Sequence, residues 1–169
     1  MFLRQDEVLL RSWQTDDAQW YVQARDEQVF KWTTEPRELT VQETELAIQQ
    51  VNESDDLFSF AIADSESNEL LGNIALVRDK TKPRTVEVMY WLAPQGRGRG
   101  VATKAVRLVV EWAFGTLNVD QILLQTHVGN VQSQRVAERA RFRRLEPQDK
   151  KDEGGEKAWF MLTSTAHDH

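Results

Sequence analysis

Residues 94 to 102 read Pro94-Gln-Gly-Arg-Gly-Arg-Gly-Val-Ala102. Three alternate glycines let the backbone come close to a ligand and permit positive φ. An apolar stripe at helical spacing begins at Val101, so the loop opens a helix. The first amides of that helix are unpaired and carry a partial positive charge. Together these features make a cradle for phosphate or pyrophosphate, and Arg97 and Arg99 add charge for the same anion. Two nucleotide loops fit the spacing poorly, and a nucleotide-binding module stays a rival reading. A Walker loop ends in Gly-Lys-Ser/Thr, but Val101 follows Gly100. A dinucleotide loop needs Gly-x-Gly-x-x-Gly early in a βαβ unit, with an acid closing the next strand. Here Ala102 and Thr103 follow Gly98-x-Gly100, and the strand ending at Thr126 carries no acid.

Other reactive side chains are few. The chain has no cysteine, which excludes disulfides, thiolate metal sites and a cysteine-acyl intermediate. The three histidines are His127, His167 and His169. No Ser-His-Asp order accompanies them, and their placement suggests no metal site.

The elements that must position the loop follow from periodicity. Val8 to Trp13 reads as a strand. Thr15, Asp16 and Asp17 offer a cap and two acids for a helix carrying Trp20, Val22 and Ala24 toward Val29 and Phe30. Thr33 to Leu39 reads as a loop. Thr40 and Glu43 match a capping box, opening a helix with Thr44, Ala47, Ile48 and Val51 on one face. Phe58 to Ile62 and Leu70 to Val77 form a hairpin across a polar turn, and Val86 to Leu92 is a third strand stopped by Pro94. After the glycine loop, Val101, Ala105, Leu108, Val109, Trp112 and Ala113 form the clearest helical stripe. A strand at Gln121 to Thr126, a helix at Ser133 to Ala140, and strands at Phe142 to Leu145 and Lys157 to Leu162 complete the order, the last two flanking the charged loop Gln148 to Glu156. The class is α+β with a mixed sheet.

The 169 residues fit one domain able to bury about 70% of its unfolded surface. A single domain over 7–162 and a disordered tail over 163–169 are expected. The formal charge, 21 − 27 = −6, does not favour nucleic acid. No run approaches the ~18 apolar residues of a membrane span, and Met1 to Glu7 shows no secretory signal. The expected location is the cytoplasm.

Gln95-Gly-Arg-Gly98-Arg-Gly100 resembles the Gln/Arg-x-x-Gly-x-Gly/Ala signature of Gcn5-related N-acetyltransferases (GNAT). Glu87-Val-Met-Tyr-Trp-Leu-Ala-Pro94 resembles the fourth strand of that family's ribosomal-protein branch. Asn130-Val-Gln-Ser133, followed by Val136-Ala-Glu and Phe142, resembles the branch's later Asn-x-x-Ser motif. The resemblance runs from about Val8 to Leu162. It implies the GNAT fold: a mixed, mostly antiparallel sheet of about seven strands flanked by about four helices.

It further implies acetyl transfer from acetyl-CoA to a primary amine by direct transfer in a ternary complex, without a metal. The acceptor would be a protein N-terminal α-amine, such as that of a ribosomal protein. A small-molecule amine (amino acid, polyamine or antibiotic) and a non-catalytic acyl-CoA sensor are the alternatives. The protein would be a monomer or homodimer. Gln95 to Thr103 (Gln95, Gly96, Arg97, Gly98, Arg99, Gly100, Val101, Ala102, Thr103) would hold the pyrophosphate. Tyr90, Trp91 and Leu92 would pair with the pantetheine, and Asn130 would hydrogen-bond the same arm. A lysine-type amine is almost fully protonated near neutral pH, so a general base is useful, and Glu87 holds the family's position for it. An oxyanion needs a donor, here a backbone N–H near Met89 to Trp91, and Ser133 would assist the leaving thiolate. Trp32 and Met89 would line the acceptor site, with Glu35 as a further acid able to orient a cationic amine. The branch has glycine where this chain has Met89 and Arg141. Met89 should narrow the acceptor pocket, and Arg141 should strain the turn that ends its helix.

Overall fold

A computed structural model describes residues 2–146 and 156–164. The expected charged loop falls mostly outside the described residues, as does the tail from 165. Among the described residues eight strands form one sheet, adjacent in chain order from the first to the sixth, with the eighth next and the seventh at the far edge, and five α-helices accompany it.

The sheet begins with a hairpin, β1 (Phe2–Gln5) and β2 (Val8–Ser12). Only β2 was expected. β1 is an edge strand with mostly exposed side chains, so burial imposes no alternation that sequence could reveal. One helix was expected next, and two form: α1 (Ala18–Ala24) and α2 (Glu27–Trp32). Arg25 turns extended, and the Asp26 carboxylate accepts from the Val29 amide, restarting the helix as its N-cap. The capping box of α3 (Val41–Asn52) forms as expected, with Thr40 and Glu43 satisfying each other.

β3 (Leu57–Asp64), β4 (Leu70–Arg78) and β5 (Thr85–Leu92) continue the sheet antiparallel. Alternation along β3 sends Phe60 and Ile62 to one face and Ala61 to the other. The first face packs on α4 (Val101–Thr116), whose Val101, Ala105, Val106 and Val109 are fully buried. Each of the three valines contributes roughly 1.5–3 kcal/mol relative to exposure. On the opposite face Trp13 and Ala61 pack with Ala18 of α1 and Ile48 of α3.

The strand after α4 is β6 (Gln121–His127), and it pairs parallel with β5. That pairing covers only Thr85–Glu87 against Gln121–Leu123, although both strands run on. β5 and β6 therefore diverge, and β5 from Val88 to Leu92 faces an opening on that side. β6 is supported instead by β8 (Lys157–Thr163), antiparallel along its whole length. β8 extends one residue into the segment expected to fray.

α5 (Val131–Arg139) packs beside α4 and ends in a Schellman motif. The Arg141 amide donates to the Glu138 carbonyl at 3.0 Å and the Phe142 amide to the Ala137 carbonyl at 2.9 Å. Arg141 has φ 70°, so the left-handed turn is kept without glycine. β7 (Arg143–Arg144) then pairs with β8. Among the described residues no helix is long and apolar enough to cross a membrane.

Candidate active site

The glycine loop sits at the mouth of the opening between β5 and β6. A 3-10 turn over Pro94–Gly96 leads into it. Gly98 and Gly100 have φ 74° and 73°, values that side-chain-bearing residues resist. A Cβ at either would meet no atom within 4 Å, so conformation rather than space demands glycine. Gly100 is the N-cap of α4 and offers no side-chain cap, leaving the first amides of that helix available to an anion.

A cleft of about 300 Å³ lies over this loop. Leu92, Gly96, Arg97, Gly98 and Gly100 to Thr103 line one side, and Gln132, Arg135, Val136 and Arg139 of α5 line the other. Two arginines expected to supply charge are engaged by other residues of the protein, although Arg97 lines the cleft. The Arg97 guanidinium makes a bidentate pair with Asp26 at 2.9 and 2.7 Å and also donates to the Leu92 carbonyl at 2.8 Å. Arg97 holds the Asp26 carboxyl below the usual carboxylate range. Arg99 donates to the Gln95 carbonyl and faces Asp64 at 3.7 Å, away from the cleft lining. Gln95 likewise turns its amide to the Leu70 carbonyl.

The cleft takes its free cations from α5 instead. Arg135 and Arg139 line it, and neither guanidinium has a partner among the described residues. Sequence reading missed them. The signal was present, because 132, 135, 136 and 139 follow the spacing of one helical face.

Asn130 and Ser133 act at the start of α5. Asn130 is its N-cap, accepting from the Ser133 amide at 3.3 Å, and does not line the cleft. The Ser133 hydroxyl is joined to β5, accepting from the Tyr90 hydroxyl at 3.0 Å. Tyr90 packs against the main core, and burial pushes its phenol up to about 12.

Glu87, Met89 and Trp91 occupy the opposite face of β5 from Tyr90. Glu87 accepts from the Gln125 side-chain amide of β6 at 2.8 Å. Gln125 stands opposite Trp159 in register, so carboxylate, amide and indole share an open trough. Met89 in that trough is 45% exposed. Glu87 and Ser133 are thus placed on opposite faces of the sheet, with the β5/β6 opening between them.

Trp32, expected at the acceptor site, lies beside His127, with ring centroids 5.5 Å apart. The His127 Nδ1 accepts from the Gly129 amide at 2.9 Å. α2 is therefore tied at its cap to the glycine loop through Asp26 and at its last residue to the end of β6. Glu35 does not present a carboxylate to the trough. It accepts from the Trp91 indole at 3.0 Å and from the Tyr21 hydroxyl, and faces Arg25 at 3.6 Å.

A forked parallel pair, a glycine loop opening a helix at the fork, and a second helix beside the cleft thus lie together. Residues 7–143 match the family model described as an acetyltransferase (GNAT) domain, and the chain belongs to that family. It is 33% identical over 95 residues to a Bacillus subtilis (strain 168) protein named probable N-acetyltransferase YjcK, covering 56% of this chain and 52% of that protein. The chain spans about half the length of the curated relatives it matches. Among solved structures, RimL, the ribosomal L7/L12 α-N-protein acetyltransferase in complex with coenzyme A, superposes with TM-score 0.83 at 14% identity, covering 98% of this chain and 99% of that one. Spermidine N-acetyltransferase from Vibrio cholerae, in complex with CoA and spermine, gives TM-score 0.79 at 16% identity, covering 96% and 99%. These two likenesses show the shared fold.

Proposed function

We propose that the protein transfers an acetyl group from acetyl-CoA to a primary amine, most readily the α-amine of a protein N-terminus. The observation that carries this reading is the opening between β5 and β6. Its mouth is a pyrophosphate-type cradle, and a half-buried hydroxyl pair and a carboxylate stand on its two sides. The left-handed loop and the amides of α4 suit a pyrophosphate, with Arg135 and Arg139 adding charge-assisted contacts. The unpaired edge of β5 from Val88 to Leu92 would take a pantetheine arm by strand addition.

Each residue then has a task. Glu87, steadied by Gln125, takes the proton from the attacking amine directly or through water. A backbone N–H between Met89 and Trp91 donates to the oxyanion that develops. Tyr90 stays protonated and donates to Ser133, which leaves the Ser133 hydrogen to point at the departing sulfur. The amine adds to the thioester carbonyl, and collapse of the resulting oxyanion forms the amide, breaks the C–S bond and releases coenzyme A as its thiolate, all in one ternary complex.

The trough supports this acceptor class. It is open, with Met89 exposed and Trp159 paired beside Gln125, which suits an extended chain. A polyamine would need several carboxylates, yet Glu35 is committed to Tyr21, Trp91 and Arg25. RimL acts on a protein N-terminus, in keeping with this choice. The test is thiol release from acetyl-CoA with short peptides bearing free or blocked α-amines, and with spermidine. Release with free peptides alone is expected. Release with spermidine alone would transfer the reading to a small-molecule enzyme, and release with neither would favour a non-catalytic acyl-CoA sensor.

A further inference from the structure

We infer that Glu35 is a positioning residue for acyl transfer: it pins the Trp91 indole and thereby fixes the unpaired edge of β5. The inference rests on the acetyltransferase reading and adds a residue to its machinery. β5 beyond Glu87 has no partner strand on its β6 side, and an unpaired edge has less to hold it in place. Yet this edge must hold a thioester and aim an amide at an oxyanion, where a misplacement of about 1 Å can cost on the order of a hundredfold in rate.

The β4 ladder pairs its other edge through Trp91 and Leu92, and three side-chain contacts hold the Trp91 ring at its far end. The Trp91 indole stacks on Trp20, with centroids 6.1 Å apart and 12° between planes, and meets the edge of Tyr21 at 5.3 Å. Its N–H donates to Glu35 at 3.0 Å. Stacking fixes the ring plane, and the hydrogen bond adds a directional hold along that plane. Glu35 is itself held. Tyr21 donates to the same oxygen, and Arg25, with a side chain only 1% exposed, lies 3.6 Å from the other. Arg25 is anchored by the Pro36 carbonyl and lies over the Tyr21 and Phe30 rings. The carboxylate therefore transmits the position of the α1–α2 layer to the reactive strand.

The experiment measures kcat and the KM for acetyl-CoA in Glu35→Leu, Glu35→Gln, Trp91→Phe and the Glu35→Leu/Trp91→Phe double variant. Exchange of the Trp91 indole proton is followed by NMR in 15N-tryptophan-labelled protein. A hydrogen bond to a charged acceptor predicts that each of Glu35→Leu and Trp91→Phe lowers kcat on the order of tenfold. KM should stay within about threefold, as for an effect realised after cofactor binding. The double variant should lose no more than either single one. Glu35→Gln keeps an acceptor oxygen and should recover most of kcat. The indole proton should be protected in the wild type and in Glu35→Gln, and exposed in Glu35→Leu. Multiplying losses, a silent Trp91→Phe, or a Glu35→Gln as impaired as Glu35→Leu would overturn the inference. Should Glu35→Leu fail to fold, the kcat of Trp91→Phe and the wild-type indole proton decide it. A wild type that transfers no acetyl group would refute the acetyltransferase reading instead, and a rapidly exchanging indole proton would still refute the pin.

Discussion

Replacing Arg141 by glycine should stabilise this protein, although it removes a whole side chain. Arg141 sits at φ 70° as the left-handed residue of the motif that ends α5. A non-glycine residue there costs roughly 1–2 kcal/mol. Glycine removes that cost but gives back about 0.5–1 kcal/mol through the greater freedom of its unfolded chain. The side chain is exposed and makes no hydrogen bond or ion pair among the described residues, so nothing else is lost. The net gain is about 0.5–1 kcal/mol, or a rise of about 1–4 °C in Tm for a chain of this size. Urea unfolding should show a higher midpoint at unchanged m. Arg141→Ala should leave Tm unchanged, because alanine keeps the Cβ. A glycine variant no more stable than wild type, or an alanine variant that matches its gain, would refute the reasoning.

Gly98→Ala and Gly100→Ala should each weaken acetyl-CoA binding and lower Tm by a few degrees, since the cost is one of φ at 74° and 73° with no clash; calorimetric titration and thermal scans check both. Arg135→Gln and Arg139→Gln should each raise the Kd for acetyl-CoA several-fold, with the effect shrinking as salt rises. Burial raises the Tyr90 phenol from 10.0 to about 12; its stabilising contribution is complete below the unfolded value and is lost as pH climbs from 10 to 12. Tyr90→Phe should blunt that alkaline loss in urea melts, and Ser133→Ala should lower kcat on the order of tenfold or more. Met89→Gly should widen the range of accepted amines in a peptide screen, and an unchanged profile would remove Met89 as a selector.

Much of this was legible in the sequence because its causes are local. The glycine loop, the α4 stripe and the Thr40–Glu43 cap each depend on residues within a turn or two. What escaped depends on tertiary partners. The break between α1 and α2 arises where Asp26 caps α2 and also pairs with Arg97, 71 positions away. That same pair engages Arg97, which lines the anion cleft, and Asp64 faces Arg99. Charge type predicted cations at the loop, but only packing decides which guanidinium is free. Arg135 and Arg139 inherit the task because α5 docks beside α4. Glu35 looked like a substrate carboxylate until its three partners were placed around it.

The most direct test is thermal unfolding with acetyl-CoA, CoA, NAD and ATP, each at high excess. A ligand at 100 times its Kd adds about 2.7 kcal/mol, a rise of about 5–10 °C here. Stabilisation by acetyl-CoA and CoA, with none from NAD or ATP, is the predicted result. No shift with either CoA species would contradict the cradle, and the acetyltransferase reading with it.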